Sequence, residues 1–232
     1  MDFSSTAFWL ALLEIIWVNI LLSGDNAVVI ALAARSLPTS QQFTAIAAGS
    51  GAAVVLRILL TVAAAELLLL PWLKIVGAVL LVYIGVTLLL PEAHDEGEAK
   101  RYGSIWGAIR TILVADLIMS LDNVVAVAAA AHGDLFLLIV GLGISIPLVV
   151  FGSTLLLKVI DRLPIIVWFG AALLGYIAGE MLVSDPALRG VVDSFSGIMH
   201  SSPDQLAMAI GAVGAVVVLV LGKVFIARAQ TD

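Results

Sequence analysis

The chain is predicted to be an all-α, polytopic membrane protein of seven transmembrane helices, built as two inverted three-helix repeats plus one accessory helix. Three observations carry this. The composition is 62% hydrophobic and 12% charged over 232 residues, with a mean hydropathy of +1.17, outside the range of soluble single domains. Seven apolar runs approach or exceed the roughly 20 residues a helix needs to cross the hydrocarbon. The first and second halves of the chain also repeat one another.

The spans centre on Phe8–Ala34, Phe43–Leu70, Trp72–Leu90, Ile105–Ala131, Leu135–Leu157, Ile165–Val183 and Leu206–Ile226. The first lacks a basic n-region and carries Glu14, Asn19 and Asp25, so it reads as a retained span and not a cleavable signal. In the first and fourth spans a spacing of 97 residues pairs Trp9 with Trp106, Ser23 with Ser120, Asp25 with Asp122 and Asn26 with Asn123. In the third and sixth, a spacing of 93 pairs Pro71, Gly77, Tyr83 and Ile84 with Pro164, Gly170, Tyr176 and Ile177. Each unit has an odd number of spans, so the second copy crosses in the opposite sense. Inverted repeats of this kind are a transporter signature, with the binding site near the midplane where the copies meet. The seventh span lies outside the repeat and reads as an accessory.

The expected organisation is therefore a first repeat over 1–90, a cytoplasmic linker over 91–103, a second repeat over 104–183, an external loop over 184–203 and the seventh helix with its tail over 204–232. Basic residues sort to one set of helix ends (Arg35, Lys100, Arg101, Arg110, Lys158, Arg162, Lys223, Arg228), against Lys74 and Arg189 at the other. By the positive-inside rule the N-terminus is outside and the C-terminus inside.

The informative residues are the acids inside the spans. An intramembrane carboxylate costs at least a few kcal/mol and normally faces a protein interior or a wet cavity. Ser23-Gly24-Asp25-Asn26 and Ser120-Leu121-Asp122-Asn123 place one Asp-Asn pair in each repeat. At about 1.5 Å per residue, Asp25 and Asp116 fall in one layer on the cytoplasmic side of the middle, and Asp122 and Asn19 at mirror depths outside. Asn19 against Asp116 breaks the symmetry. Glu14 stands eleven residues before Asp25, on the same face of a continuous helix, and Glu180 is placed to continue an outward path. Asp116 and Asp122 lie about 120° apart around a straight helix, so one ion meets both only if the helix breaks or a partner wraps them. Gly24 and the serine before each Asp make a break plausible.

Glu66 reads as interfacial and His132 as a helix cap. Arg57, central in its span, pairs with an acid either as a structural bridge or as an internal cation once a metal leaves; the structural reading is the plainer. The glycines of Gly49-Ser50-Gly51 and Gly141-Leu142-Gly143 read as close helix packing.

Carboxylate, amide and hydroxyl oxygens are hard donors, suited to Mg²⁺, Ca²⁺ or Mn²⁺. The chain has no cysteine, and its three histidines sit at loops or helix ends. The candidate metal residues are Asp25, Asn26, Asp122, Asn123, Asp116 and Glu14, with the cation as substrate and no permanently bound cofactor. No His-Glu-x-x-His signature is present, so the chain does not read as an enzyme. Two other readings stay open: a non-transporting membrane partner that delivers metal to exported proteins or assists them, and an exporter of a small organic cation or amino acid.

The run from Glu14 through Leu22-Ser23-Gly24-Asp25-Asn26-Ala27-Val28 to Arg35-Ser36-Leu37-Pro38, with Val114-Ala115-Asp116-Leu117-Ile118-Met119-Ser120-Leu121-Asp122-Asn123, resembles the TerC family of integral membrane proteins. The likeness covers most of the first six spans. It is closest to the short bacterial branch, which is similar in design to LysE-superfamily exporters. The resemblance implies manganese efflux, or supply of manganese to exported metalloenzymes or the secretion machinery, from the bacterial cytoplasmic membrane. It places Asp25, Asn26, Asp122 and Asn123 at the family's motif positions and Glu14 and Asp116 at its flanking acids. Divalent cation and lipid are the partners implied; nucleic acid is not.

Overall fold

The computed structural model describes residues 6–21, 24–67, 70–90, 104–130, 134–199 and 202–229. Every regular element among them is helical: α1 (Thr6–Leu21), α2 (Gly24–Ala34), α3 (Thr39–Leu67), α4 (Leu73–Leu89), α5 (Ile105–Ala130), α6 (Leu135–Arg162), α7 (Ile165–Ser184), a 3₁₀ turn (Pro186–Leu188), α8 (Arg189–Met199) and α9 (Pro203–Ala229). By length and composition Thr39–Thr61, Phe136–Arg162, Ile165–Ser184 and Pro203–Arg228 can cross a membrane, and Gly24–Ala34 and Leu73–Leu89 are shorter apolar helices.

The helix ends follow from local chemistry. Asp134 caps α6 by accepting the N–H groups of Phe136 (2.9 Å) and Leu137 (3.1 Å). Ser202 and Gln205 form a reciprocal capping box at the start of α9. After α2, the Gln42 amide donates to the Leu37 carbonyl at 3.1 Å and to that of Arg35 at 3.4 Å, meeting acceptors left open beyond the helix end.

The chain divides into two compact units that interleave along the sequence: residues 1–67 with 102–159, and 68–101 with 160–232. The first holds α1, α2, α3, α5 and nearly all of α6. Leu12 and Ile15 of α1, Val127 of α5 and Leu137, Leu138 and Leu142 of α6 form one apolar core. The glycine reading holds at Gly49 and Gly141, where an added Cβ would overlap Ile112 and Ile15. It does not hold at Gly51 and Gly143, which have nothing within 4 Å of that position.

The second unit holds α4, α7, α8 and α9. Here α9, set aside as an accessory on sequence grounds, lies against α7 through glycines on both helices: Gly175 and Gly179 meet Gly211 and Gly214. A 3₁₀ turn and an eleven-residue helix, α8, occupy the segment read as an external loop. Its apolar positions, Val191, Val192, Phe195, Ile198 and Met199, recur at helical spacing, a pattern short enough to be masked by the glycines and serines between.

Asp185, fully buried, ties this unit together. Its carboxylate accepts the N–H groups of Trp72 (3.0 Å), Lys74 (3.0 Å), Ile75 (3.2 Å) and Ala187 (2.7 Å). It therefore caps α4 from across the chain, where the local N-cap residue Trp72 has a left-handed φ of 73° and offers no side-chain bond. Burial pushes the Asp185 carboxyl up, but the backbone donors of Ala187, Trp72, Ile75 and Lys74 outweigh it and hold it below the ordinary carboxylate value.

Candidate cation site

Within the first unit, α3 and α5 lie side by side and put one basic and one acidic side chain out of solvent. Arg57 of α3 is 3% exposed and Asp116 of α5 is 6% exposed. Their charged groups are ion-paired, Nη2 to Oδ1. Ser120, one turn beyond Asp116, closes the network: Arg57 Nε donates to Ser120 Oγ at 3.0 Å, and Ser120 Oγ donates to Asp116 Oδ2 at 3.2 Å.

Beside this pair is a cavity of about 20 Å³, lined by Asn26, Ile30, Ser50, Ala53, Val54, Arg57, Asp116, Ile146 and Val149. That is room for about one water molecule. Asn26 is 2% exposed and Ser50 3%. Neither amide atom of Asn26 nor the Ser50 hydroxyl has a hydrogen-bond partner among the described residues. An unmet buried polar group costs about 1–3 kcal/mol, so both favour an occupant that offers them a bond. Asp25, in the first turn of α2, is half-buried; its Oδ1 accepts the Asn26 N–H at 2.8 Å, and its charge is in range of Arg57 and Asp116.

Amide oxygen, hydroxyl and carboxylate converge on this space, a hard donor set fit for a small cation. Three of the six residues singled out from sequence therefore come together here: Asn26 and Asp116 on the wall, Asp25 alongside. Glu14 does not join them. It is exposed on α1 and is not on the cavity wall; Leu22 and Ser23, between α1 and α2, lie outside the described residues. Asn123 is half-buried on α5, which runs on without interruption past both motif positions, and it is not on the cavity wall. The side chains of Asp122, Asn19, Glu66 and His132 and the segment 91–103 lie outside the described residues. Glu180 belongs to the second unit. Among the described residues, no three of His, Cys, Asp and Glu gather as a ready metal cluster.

Ser50 and Ser120 are the members that sequence reasoning passed over. Ser120 was visible as the repeat mate of Ser23. Ser50 was hidden between two glycines, where packing explained the triplet sufficiently.

A family model for the integral membrane protein TerC family matches residues 4–231. The chain belongs to the TerC family. It is 45% identical to the membrane protein YjbE of Bacillus subtilis over 181 residues, 78% of this chain and 83% of that one. It is 26% identical to the membrane protein YceF of Bacillus subtilis, covering 69% and 66% of the two chains. It is also 26% identical to the inner membrane protein YgdQ of Escherichia coli, covering 67% and 73%. No solved structure matches the chain. As a TerC-family member it is an integral membrane protein, in keeping with its apolar helices.

Proposed function

We propose that this TerC-family protein exports a divalent metal cation, manganese first among the candidates, through the site around Asn26, Ser50 and Asp116. The observation that carries the reading is a pair of buried groups, Asn26 and Ser50, unpartnered among the described residues and facing a carboxylate across a space for one small occupant. That size favours an ion over an amino acid or organic cation, and the absence of cysteine favours a hard metal over a soft one.

The proposed architecture is seven spans in two inverted repeats, N-terminus outside and C-terminus inside, in the cytoplasmic membrane. The cation enters from the cytoplasm, is held by Asp25, Asn26 and Asp116, passes to the outer layer of Asp122 and Asn123, and leaves past Glu14. Moving charge outward against an inside-negative potential costs about 2.3 kcal/mol per charge per 100 mV, so about 4.6 kcal/mol for a divalent ion. Export therefore requires coupling or a steep gradient.

The test is flux of radioactive manganese in proteoliposomes, with the intact chain against Asp25→Asn and Asp122→Asn. The reading expects transport by the intact chain and a loss of at least tenfold in each variant. Equal flux in all three would overturn it.

A further inference from the structure

The Arg57–Asp116 pair raises a question that a structural bridge does not answer. Burying an ion pair is weak support for stability, because desolvation consumes much of the attraction, and well-packed apolar residues of the same size do as well or better. Here the pair also borders a small cavity. The Asn26 amide and the Ser50 hydroxyl sit beside it, buried and unpartnered among the described residues, on the wall of the same small cavity. Their unmet bonding capacity is available to a small occupant of that cavity.

The sequence adds a second, independent observation. Asp116 has no acidic mate in the other copy, since it stands against Asn19. Arg57 has no basic mate either: the spacing that sets Gly49 against Gly141 and Gly51 against Gly143 sets Arg57 against Val149. Neither member of the pair has a charged mate in the other copy, and the two are each other's partners. Val149 lines the same cavity, so the two halves meet there with a guanidinium from one and a methyl surface from the other.

We propose that Arg57 is a tethered counter-cation: its guanidinium occupies the Asp116 carboxylate in the ion-free site and is displaced from it when a divalent cation enters between Asn26, Ser50 and Asp116. This rests on the cation reading above and adds how that site resets. A guanidinium and a divalent ion repel strongly at contact distance in a weakly screened interior, so the two do not share one carboxylate oxygen. The Ser120 hydroxyl, bonded to both members of the pair, offers the guanidinium a neighbouring acceptor as it withdraws. The acid then has a positive partner both with and without metal. The ion-free site can return through the membrane without bare buried carboxylates and without a proton on Asp116.

The experiment is manganese binding to the purified full chain, together with net efflux and manganese–manganese exchange in proteoliposomes, for the intact protein, Arg57→Gln and Arg57→Lys. Removing the competitor is expected to tighten binding at least tenfold in Arg57→Gln, to slow net efflux at least tenfold, and to leave exchange within about threefold, since exchange needs no ion-free return. Arg57→Lys keeps the charge but not the planar fork that reaches both Asp116 and Ser120; it is expected to bind three- to tenfold tighter and to keep most of the net efflux. Should Arg57→Gln not yield monodisperse protein, the Lys variant decides. Unchanged or weaker binding in the folded variant, or net efflux lost together with exchange, overturns the proposal and leaves the cation reading standing. No manganese binding by the intact chain overturns both.

Discussion

Gly214 of α9 lies so close to Gly175 of α7 that a Cβ built on Gly214 would overlap the Gly175 carbonyl oxygen. Neighbouring positions repeat the pattern: a Cβ on Gly179 would stand 2.7 Å from the Gly211 Cα, and one on Gly211 2.8 Å from the Tyr176 ring. In a bilayer such close backbone approach is a main source of helix association, because lipid is as apolar as the side chains it replaces. Gly214→Leu is expected to lower stability by about 2–3 kcal/mol through overpacking, read as a lower unfolding temperature in detergent. Gly51→Ala, where nothing stands within 4 Å, is the control and should not destabilise, gaining up to about 1 kcal/mol from helix propensity.

Asp185 makes a prediction about acid. Its folded-state carboxyl is held below the ordinary value, so the stability it contributes is full above about pH 4 and is lost as pH falls through the lowered value. Unfolding monitored from pH 8 to pH 5 should show no contribution from this group, and a decline should begin below about pH 4. Asp185→Asn replaces one acceptor oxygen with an NH₂ that faces backbone N–H groups, and is expected to cost about 3 kcal/mol. It should also flatten the acid-side decline.

α8 connects two helices long and apolar enough to cross a membrane and keeps Val191 and Phe195 about half exposed. An amphipathic helix so placed is expected to lie in the membrane interface with its apolar face inward. The chain has no native cysteine, so Phe195→Cys gives a single labelling site. A spin label there should be relaxed more by oxygen than by a water-soluble nickel chelate, and one at Asp193→Cys the reverse. Equal relaxation at both positions would contradict the placement.

Asn26 should matter to binding in a graded way. Asn26→Ala removes the amide oxygen and is expected to weaken manganese binding about tenfold, whereas Asn26→Asp keeps an oxygen donor and adds charge and should not weaken it. Titration of purified protein with manganese distinguishes the two.

Much of this was legible in the sequence, and what was not had physical reasons. Apolar runs announce membrane helices because lipid imposes one requirement along the whole span, so α3, α6, α7 and α9 appear close to where hydropathy puts them. Asp116 stood out because an acid there is costly, and its partner Arg57 stood out for the same reason; their pairing needed the α3–α5 contact, which no local pattern encodes. Glu14 is linked to Asp25 by a helical register that runs through Leu22 and Ser23, which lie outside the described residues. Asp185 lay in a segment read as loop, and its role depends on Trp72, Lys74 and Ile75, more than a hundred residues away in the chain. Ser50 and the α9 glycines are small residues whose meaning is set by what lies opposite them.

The position of a bound cation decides whether Asn26, Ser50 and Asp116 form the transport site. The most direct measurement is an anomalous difference map at the manganese edge from crystals of the full chain grown with manganese. The account predicts one peak bounded by the Asn26 amide, the Ser50 hydroxyl and the Asp116 carboxylate. Manganese found only on loop or surface carboxylates, with that cavity holding water alone, would contradict it.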